Sequence, residues 1–305
     1  MTVRRVTLAS APSPLHILCS ADRLYGSWLG VMVASILRFD HGAPVVVHVL
    51  SDGIHQRDLS RLDRLCRSRG ARLEVHRLAR LLTAEAATFH TSLHITRAAY
   101  ARLFVARVLD TSVSRVLYLD CDIACIGSLA PLWQTNLNGA ILGAIADFGS
   151  GIPKSRHEMN ARIAAPPDQT YYNSGVLLID LAAWRAHNVE AQLCTYIIAM
   201  GQSLGGHDQD AINAVLAPQI QSLDPIWNFQ TMPGNLFDGR QILIHYSGSR
   251  KPWDLDPRNP LAGHYLQAKS ASPWRYKVRL PFKVRRLPLS LRKRWPRLYH
   301  LIARD

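Results

Sequence analysis

Through the first two thirds of the chain, short apolar runs alternate with stretches in which apolar residues return every three or four positions. An apolar run at 15–19 is followed, past a polar turn, by an amphipathic stretch at 27–37. Residues 45–50 (VVVHVL) are β-branched and compact, as a buried strand requires. Across 58–68, Leu59, Leu62 and Leu65 recur at helical spacing with Arg and Asp between them. Gly70 punctuates, and a strand is predicted over 73–78. A helix is predicted over 96–109, with Tyr100, Leu103, Phe104 and Val108 on one face. Strands follow at 116–119, 140–146 and 175–179, and residues 208–216 have the spacing of a helix. This alternation predicts an α/β fold, a mostly parallel sheet flanked by helices. Ligands of such folds gather at the carboxyl ends of strands, so the polar residues standing there carry the functional reading.

Composition narrows the class. With 305 residues, 48% of them apolar, and a mean hydropathy of −0.02, the chain is neither disordered nor fibrous. No uncharged apolar run approaches the roughly 18 residues of a membrane-spanning helix. The first fourteen residues lack a sustained apolar core, so a cleaved secretion signal is not expected. Five cysteines, odd in number and irregularly spaced, argue against a disulfide framework and for a reducing compartment. Charge divides the chain in two. Of a net +14, residues 270–305 carry +10, from eleven Lys and Arg against one acid, and the body 1–269 carries +4. The expected organisation is a globular body over 1–269 and a separate basic tail over 270–305.

The sharpest local motif is VLYLDCD at 116–122, an apolar strand ending in Asp120 and Asp122. Strand side chains at i and i+2 point the same way, about 6–7 Å apart at Cα, so two such carboxylates can meet on one hard cation such as Mn²⁺ or Mg²⁺. They can equally be two solvated acids, and aspartyl-phosphate phosphatases also place Asp-x-Asp after a strand, using the first as nucleophile. In those enzymes the pair stands near the N-terminus, whereas here it lies mid-chain. A second cluster, ILIHYSGSRKPW at 242–253, delivers His245 from a strand, then Gly248 and Lys251. His245 is either a core histidine or a third metal ligand, and Lys251 suits a phosphate. At 205–210 (GGHDQD) a helix opens with Asp208, either its N-cap or a polar group presented to a sugar, together with Gln209. Asp210 suits the first helical turn. Asn173 and Gly175 enter a buried strand, and Asp147 follows another, so both are expected to line a cavity.

Together these segments resemble family 8 glycosyltransferases, in particular the bacterial lipopolysaccharide and lipooligosaccharide galactosyl- and glucosyltransferases. The matching blocks run in order: the strand and turn at 15–25, AAYARL at 98–103, VLYLDCD at 116–122, NSGVLLIDLAAW at 173–184, DQDAIN at 208–213, WNFQTMPGN at 227–235 and HYSGSRKPW at 245–253. The resemblance implies a GT-A fold and a retaining transfer of galactose or glucose from a UDP-hexose to a glycolipid or oligosaccharide acceptor. It also implies an Mn²⁺ ion, with Mg²⁺ possible, on Asp120, Asp122 and His245. Asp22 and Tyr25 would meet the uracil, His94 and Ile95 would lie near the donor, and Arg102 on its sugar side. Gly248 and Lys251 would cradle the diphosphate, and Asp147, Asn173, Asp208 and Gln209 would surround the transferred hexose. Leu24 stands where relatives often have Asn. Retention is open to a covalent intermediate on Gln209 or Asp208, or to same-face substitution. A catalytically silent UDP-sugar or membrane-binding protein of this fold is the alternative reading.

The tail interleaves its cations with Trp274, Tyr276, Phe282, Trp295 and Tyr299, and Pro281, Pro288 and Pro296 exclude one long helix. Such a segment suits an anionic membrane surface better than nucleic acid. The expected location is cytoplasmic, peripheral on the inner face of the cytoplasmic membrane.

Overall fold

A computed structural model describes residues 13–80, 89, 97–248, 251–254 and 259–275. The strands are β1 (Leu15–Asp22), β2 (Val45–Asp52), β3 (Arg72–Arg77), β4 (Arg115–Leu119), β5 (Ile123–Cys125), β6 (Leu142–Ala146), β7 (Tyr172–Asp180), β8 (Ile220–Ser222), β9 (Phe229–Gln230) and β10 (Leu243–His245). Seven of them form one sheet in the order β3-β2-β1-β4-β7-β6-β8, and β5-β10-β9 form a second, smaller one. In the large sheet, β7 runs antiparallel to both of its neighbours, while β3, β2, β1 and β4 pair in parallel, as do β6 and β8.

The central strands are apolar on both sides because both sides are covered. Leu15, Ile17, Cys19, Leu117, Leu119, Val176 and Leu178 enter one buried cluster. Leu18, Val116, Tyr118, Leu177 and Ile179, offset by one residue, enter the other. Helix Gly26–Ile36 is buried along its whole length, packed between the sheet and helix Ala262–Ser270. The indole of Trp274 fills the space above Gly30, where an added Cβ would stand 2.3 Å from Cη2, and its Nε1 donates to Asp58 Oδ1 at 2.7 Å. Trp274, expected among the tail's interfacial aromatics, is 1% exposed and belongs to the body's core. The other aromatic residues of the tail lie outside the described residues.

The helix expected over 96–109 is broken. It comprises an α-turn at Arg97–Tyr100, a tighter 3₁₀ stretch at Ala101–Phe104 and another α-turn at Val105–Val108. The 3₁₀ stretch carries Arg102, whose Nε returns to the Ala99 carbonyl at 3.0 Å. Among the described residues, no helix is long and apolar enough to cross a membrane, and all five cysteines are free.

Candidate active site

The direction of β7 builds the site. Because it runs against β4, its first residues lie beside the last residues of β4, and Asp120 N donates to Gly175 O at 2.9 Å. Asp120 and Asp122 occupy the turn between β4 and β5. On the small sheet, β10 pairs antiparallel to β5 with His245 opposite Ile123, and Tyr246 N donates to Asp122 O at 2.9 Å. Carboxylates and imidazole, 125 residues apart in the chain at the extreme, therefore converge: one ligand atom from each of Asp120, Asp122 and His245 lies within 4.8 Å of the others. His245 Nε2 is 3.3 Å from Asp122 Oδ1 and 3.9 Å from Asp120 Oδ2.

Neighbouring groups orient these three. His245 Nδ1 is 2.9 Å from Asn228 Oδ1, which directs Nε2 to the carboxylates, and Asn228 Nδ2 donates to Asn173 Oδ1 at 2.9 Å. Gly175 leaves room for the imidazole, since an added Cβ would stand 2.4 Å from His245 Cε1. Asp120 Oδ1 accepts from Tyr118 OH at 2.9 Å and from Arg102 at 3.0 Å. The Lys251 ammonium contacts Asp122 Oδ2 and donates to Tyr246 O at 2.9 Å. Burial pushes the Asp122 carboxyl up, but Lys251 and His245 outweigh it and hold the group well below the usual carboxylate range. Two carboxylates and an imidazole with one nitrogen already committed are a donor set for a divalent cation, and the site fits one.

Arg102 joins this cluster to a second. It is 5% exposed, lies over the Tyr118 ring with its guanidinium carbon 4.3 Å from the centroid, and bonds Asp120, the Ser174 carbonyl and Asp208. Asp208 is not an N-cap. Helix His207–Leu216 is capped at Gly206, and the Asp208 carboxylate lies 3.0 Å from Arg102 Nε inside the first turn. Burial pushes its carboxyl up to about 6, against the pull of Arg102. Gln209 is held at both ends: Oε1 accepts from Ser174 N at 3.0 Å and Asn173 Nδ2 at 3.2 Å, and Nε2 donates to Asp147 Oδ2 at 3.2 Å. Asp147, Asn173, Asp208 and Gln209 thus form one polar cluster beside the carboxylate pair.

Asp210 does more than favour the helix start. Fully buried, it accepts from Arg162 Nε and Nη2 at 2.7 and 2.6 Å, from Tyr171 OH and from Gly206 N, which locks the turn that presents Gln209. The same turn contains His207 at φ 53, left-handed for a residue with a side chain, with its Nδ1 3.1 Å from Tyr100 OH. Asn228 lies in the WNFQTMPGN block, yet nothing local in the sequence reveals its contact with His245, nor those of Arg162 and Tyr171, which arise only through the fold.

At the end of β1, Asp22 Oδ1 accepts from the backbone of Leu24 at 2.8 Å and Tyr25 at 3.0 Å, and the Tyr25 ring meets Trp253 edge-on at 5.8 Å. Gly248 has φ +84, a conformation that suits glycine, between His245 and Lys251. His94 and Ile95 lie outside the described residues.

A two-sheet α/β fold with an Asp-x-Asp and a histidine meeting at the sheet rim defines a glycosyltransferase of the GT-A type. The galactosyltransferase LgtC, solved in complex with donor and acceptor sugar analogs, superposes with a TM-score of 0.74 at 24% identity, over 89% of this chain and 99% of that one. The chain belongs to glycosyl transferase family 8, whose family model matches residues 16–256. General stress protein A of Bacillus subtilis is 29% identical over 279 residues, covering 85% of this chain and 94% of its own length. Lipopolysaccharide 1,3-galactosyltransferase of Salmonella typhimurium is 27% identical over 271 residues, covering 85% and 79%. Lipopolysaccharide glucosyltransferase WaaO of Escherichia coli is 27% identical over 275 residues, covering 86% and 79%.

Proposed function

We propose that this chain is a retaining, Mn²⁺-dependent hexosyltransferase, moving galactose or glucose from a UDP-sugar to a sugar of a lipopolysaccharide or lipooligosaccharide core. The observation that carries the reading is the convergence of Asp120, Asp122 and His245 beside Lys251. The named activities of the lipopolysaccharide relatives support the hexose and the acceptor.

Asp120, Asp122 and His245 would hold the cation, Mn²⁺ or Mg²⁺, which when bound supplies Lewis-acid stabilisation of the departing diphosphate. Lys251 adds a positive charge where negative charge develops, with Gly248 allowing the backbone to approach. Asp22 and Tyr25 receive the nucleoside. Arg102 fixes Asp120 and Asp208 relative to each other, so the diphosphate and sugar subsites are held in register by one buried guanidinium. Asp147, Asn173 and Gln209 orient the hexose. The Gln209 oxygen already accepts the Ser174 N–H and the Asn173 amide, so attack on the anomeric carbon would require it to leave both. That favours same-face substitution, in which the acceptor enters where the diphosphate leaves. The basic tail would hold the enzyme on the anionic inner leaflet, each Lys or Arg adding up to about 1 kcal/mol.

The test is UDP release from a panel of UDP-sugars, with and without Mn²⁺ and a core oligosaccharide. Turnover of one UDP-hexose that needs Mn²⁺ and is abolished by Asp122→Ala, with folding intact, is the expected result. UDP-sugar binding without turnover would make the chain a silent binding protein instead.

A further inference from the structure

Outside this site, the edge of the large sheet carries a second convergence of metal-ligating side chains. In the parallel register, β1 residue His16 pairs with Val46, β2 residue His48 with Glu74, and Leu50 with His76. A step of two along each strand keeps the same face, so His16, His48 and His76 form a diagonal across three strands with Glu74 beside the middle ring. The rings stack with centroids 5.2 and 5.7 Å apart and interplanar angles of 18° and 26°.

The nitrogens align along this diagonal. His48 Nε2 is 2.9 Å from His16 Nδ1. On the other side of the same ring, His48 Nδ1 is 3.1 Å from Glu74 Oε2 and 3.4 Å from His76 Nε2. One imidazole nitrogen has either one proton or one lone pair, so without a further group Nδ1 serves only one of these two neighbours. A cation placed among the three atoms serves all of them at once. Donors about 2.0–2.1 Å from a tetrahedral zinc stand roughly 3.3–3.4 Å apart, close to both separations.

We propose that His48, Glu74 and His76 form a second cation site, for a zinc-type divalent ion held by two imidazoles and one carboxylate. The supporting contacts are those a metal site requires. His16 engages His48 Nε2 and thereby leaves Nδ1 as the ligand. Arg72 bonds the other Glu74 oxygen at 3.0 Å and leaves Oε2 as the ligand. His48 is 2% exposed, whereas Glu74 and His76 are half-buried, which gives an ion access from the edge-strand side. The nitrogen-rich set selects zinc over the hard cations suited to Asp120 and Asp122. Six residues separate His16 from Asp22 on β1, about 20 Å, so the ion would clamp β1, β2 and β3 rather than meet the sugar donor.

The experiment is calorimetric titration of the metal-stripped full chain with ZnCl₂, beside His76→Ala, Glu74→Gln and Asp122→Ala, each checked for folding by circular dichroism. The expected result is a zinc site that Asp122→Ala retains, and that His76→Ala and Glu74→Gln each weaken by about 100-fold. Zinc should also raise the unfolding temperature of the wild type more than that of either edge-strand variant. If His76→Ala does not fold, Glu74→Gln alone decides. Zinc binding untouched by the edge-strand substitutions, or lost only in Asp122→Ala, overturns the proposal, as does the absence of binding.

Discussion

The ring of His245 is set from behind by Asn228, whose carboxamide oxygen lies 2.9 Å from Nδ1 and leaves Nε2 facing Asp122. Asn228 is 2% exposed and never reaches the carboxylates itself, so it acts through the histidine. Asn228→Ala should weaken Mn²⁺ binding by about 10–100-fold. The check is a Mn²⁺ titration of turnover, in which saturating metal restores most of kcat. A kcat loss that no metal concentration relieves would mean that Asn228 does more than orient the ring.

Gly175 is the floor under the same imidazole. With an added Cβ 2.4 Å from His245 Cε1, Gly175→Ala must displace the ring. Overpacking of this kind costs about 1–3 kcal/mol of stability, and a misplacement of about 1 Å costs on the order of 100-fold in rate. Activity should therefore fall by about two orders of magnitude while the far-ultraviolet circular dichroism spectrum is retained.

The Asp208 carboxyl, raised by burial to about 6 from an ordinary 3.8, is protonated in the folded chain over a range where the unfolded chain has lost the proton. Its contribution to stability is complete below about pH 4 and is lost as the pH rises through 6. Asp208→Asn deletes that dependence. Between pH 5 and 7.5 the wild type should lose on the order of 1 kcal/mol relative to the variant, measured by urea unfolding without metal. A difference that stays flat with pH would place the ionised pair with Arg102 as the resting state at acid pH as well.

Truncations separate the tail from the body. Because Trp274 is buried against Gly30 and bonded to Asp58, a chain ending at 269 should lose about 3–5 kcal/mol, the scale of a buried Trp→Ala change. A chain ending at 275 should melt with the full-length protein, retain turnover of a soluble acceptor, and lose binding to vesicles containing anionic lipid. Equal vesicle binding by the two would remove the tail's proposed role.

Much of this protein was legible in its sequence. The period of apolar residues located six of the seven strands of the large sheet and their order, though not the break in the helix over 96–109, because burial on both faces of a central strand demands continuous apolar runs such as VVVHVL. Local chemistry singled out Asp120, Asp122 and His245, since acids and a histidine at strand ends stand where ligands bind. What periodicity does not encode is strand direction and long-range contact. The reversal of β7, the seating of His245 between Asn228 and Gly175, and the Arg102 bridge from Asp120 to Asp208 arise only when distant segments pack. The same holds for Trp274, whose sequence neighbours are basic but whose surroundings are the helix Gly26–Ile36. Local pattern determines which face of a segment avoids water; tertiary packing alone decides which other segment that face, and each buried polar group, will meet.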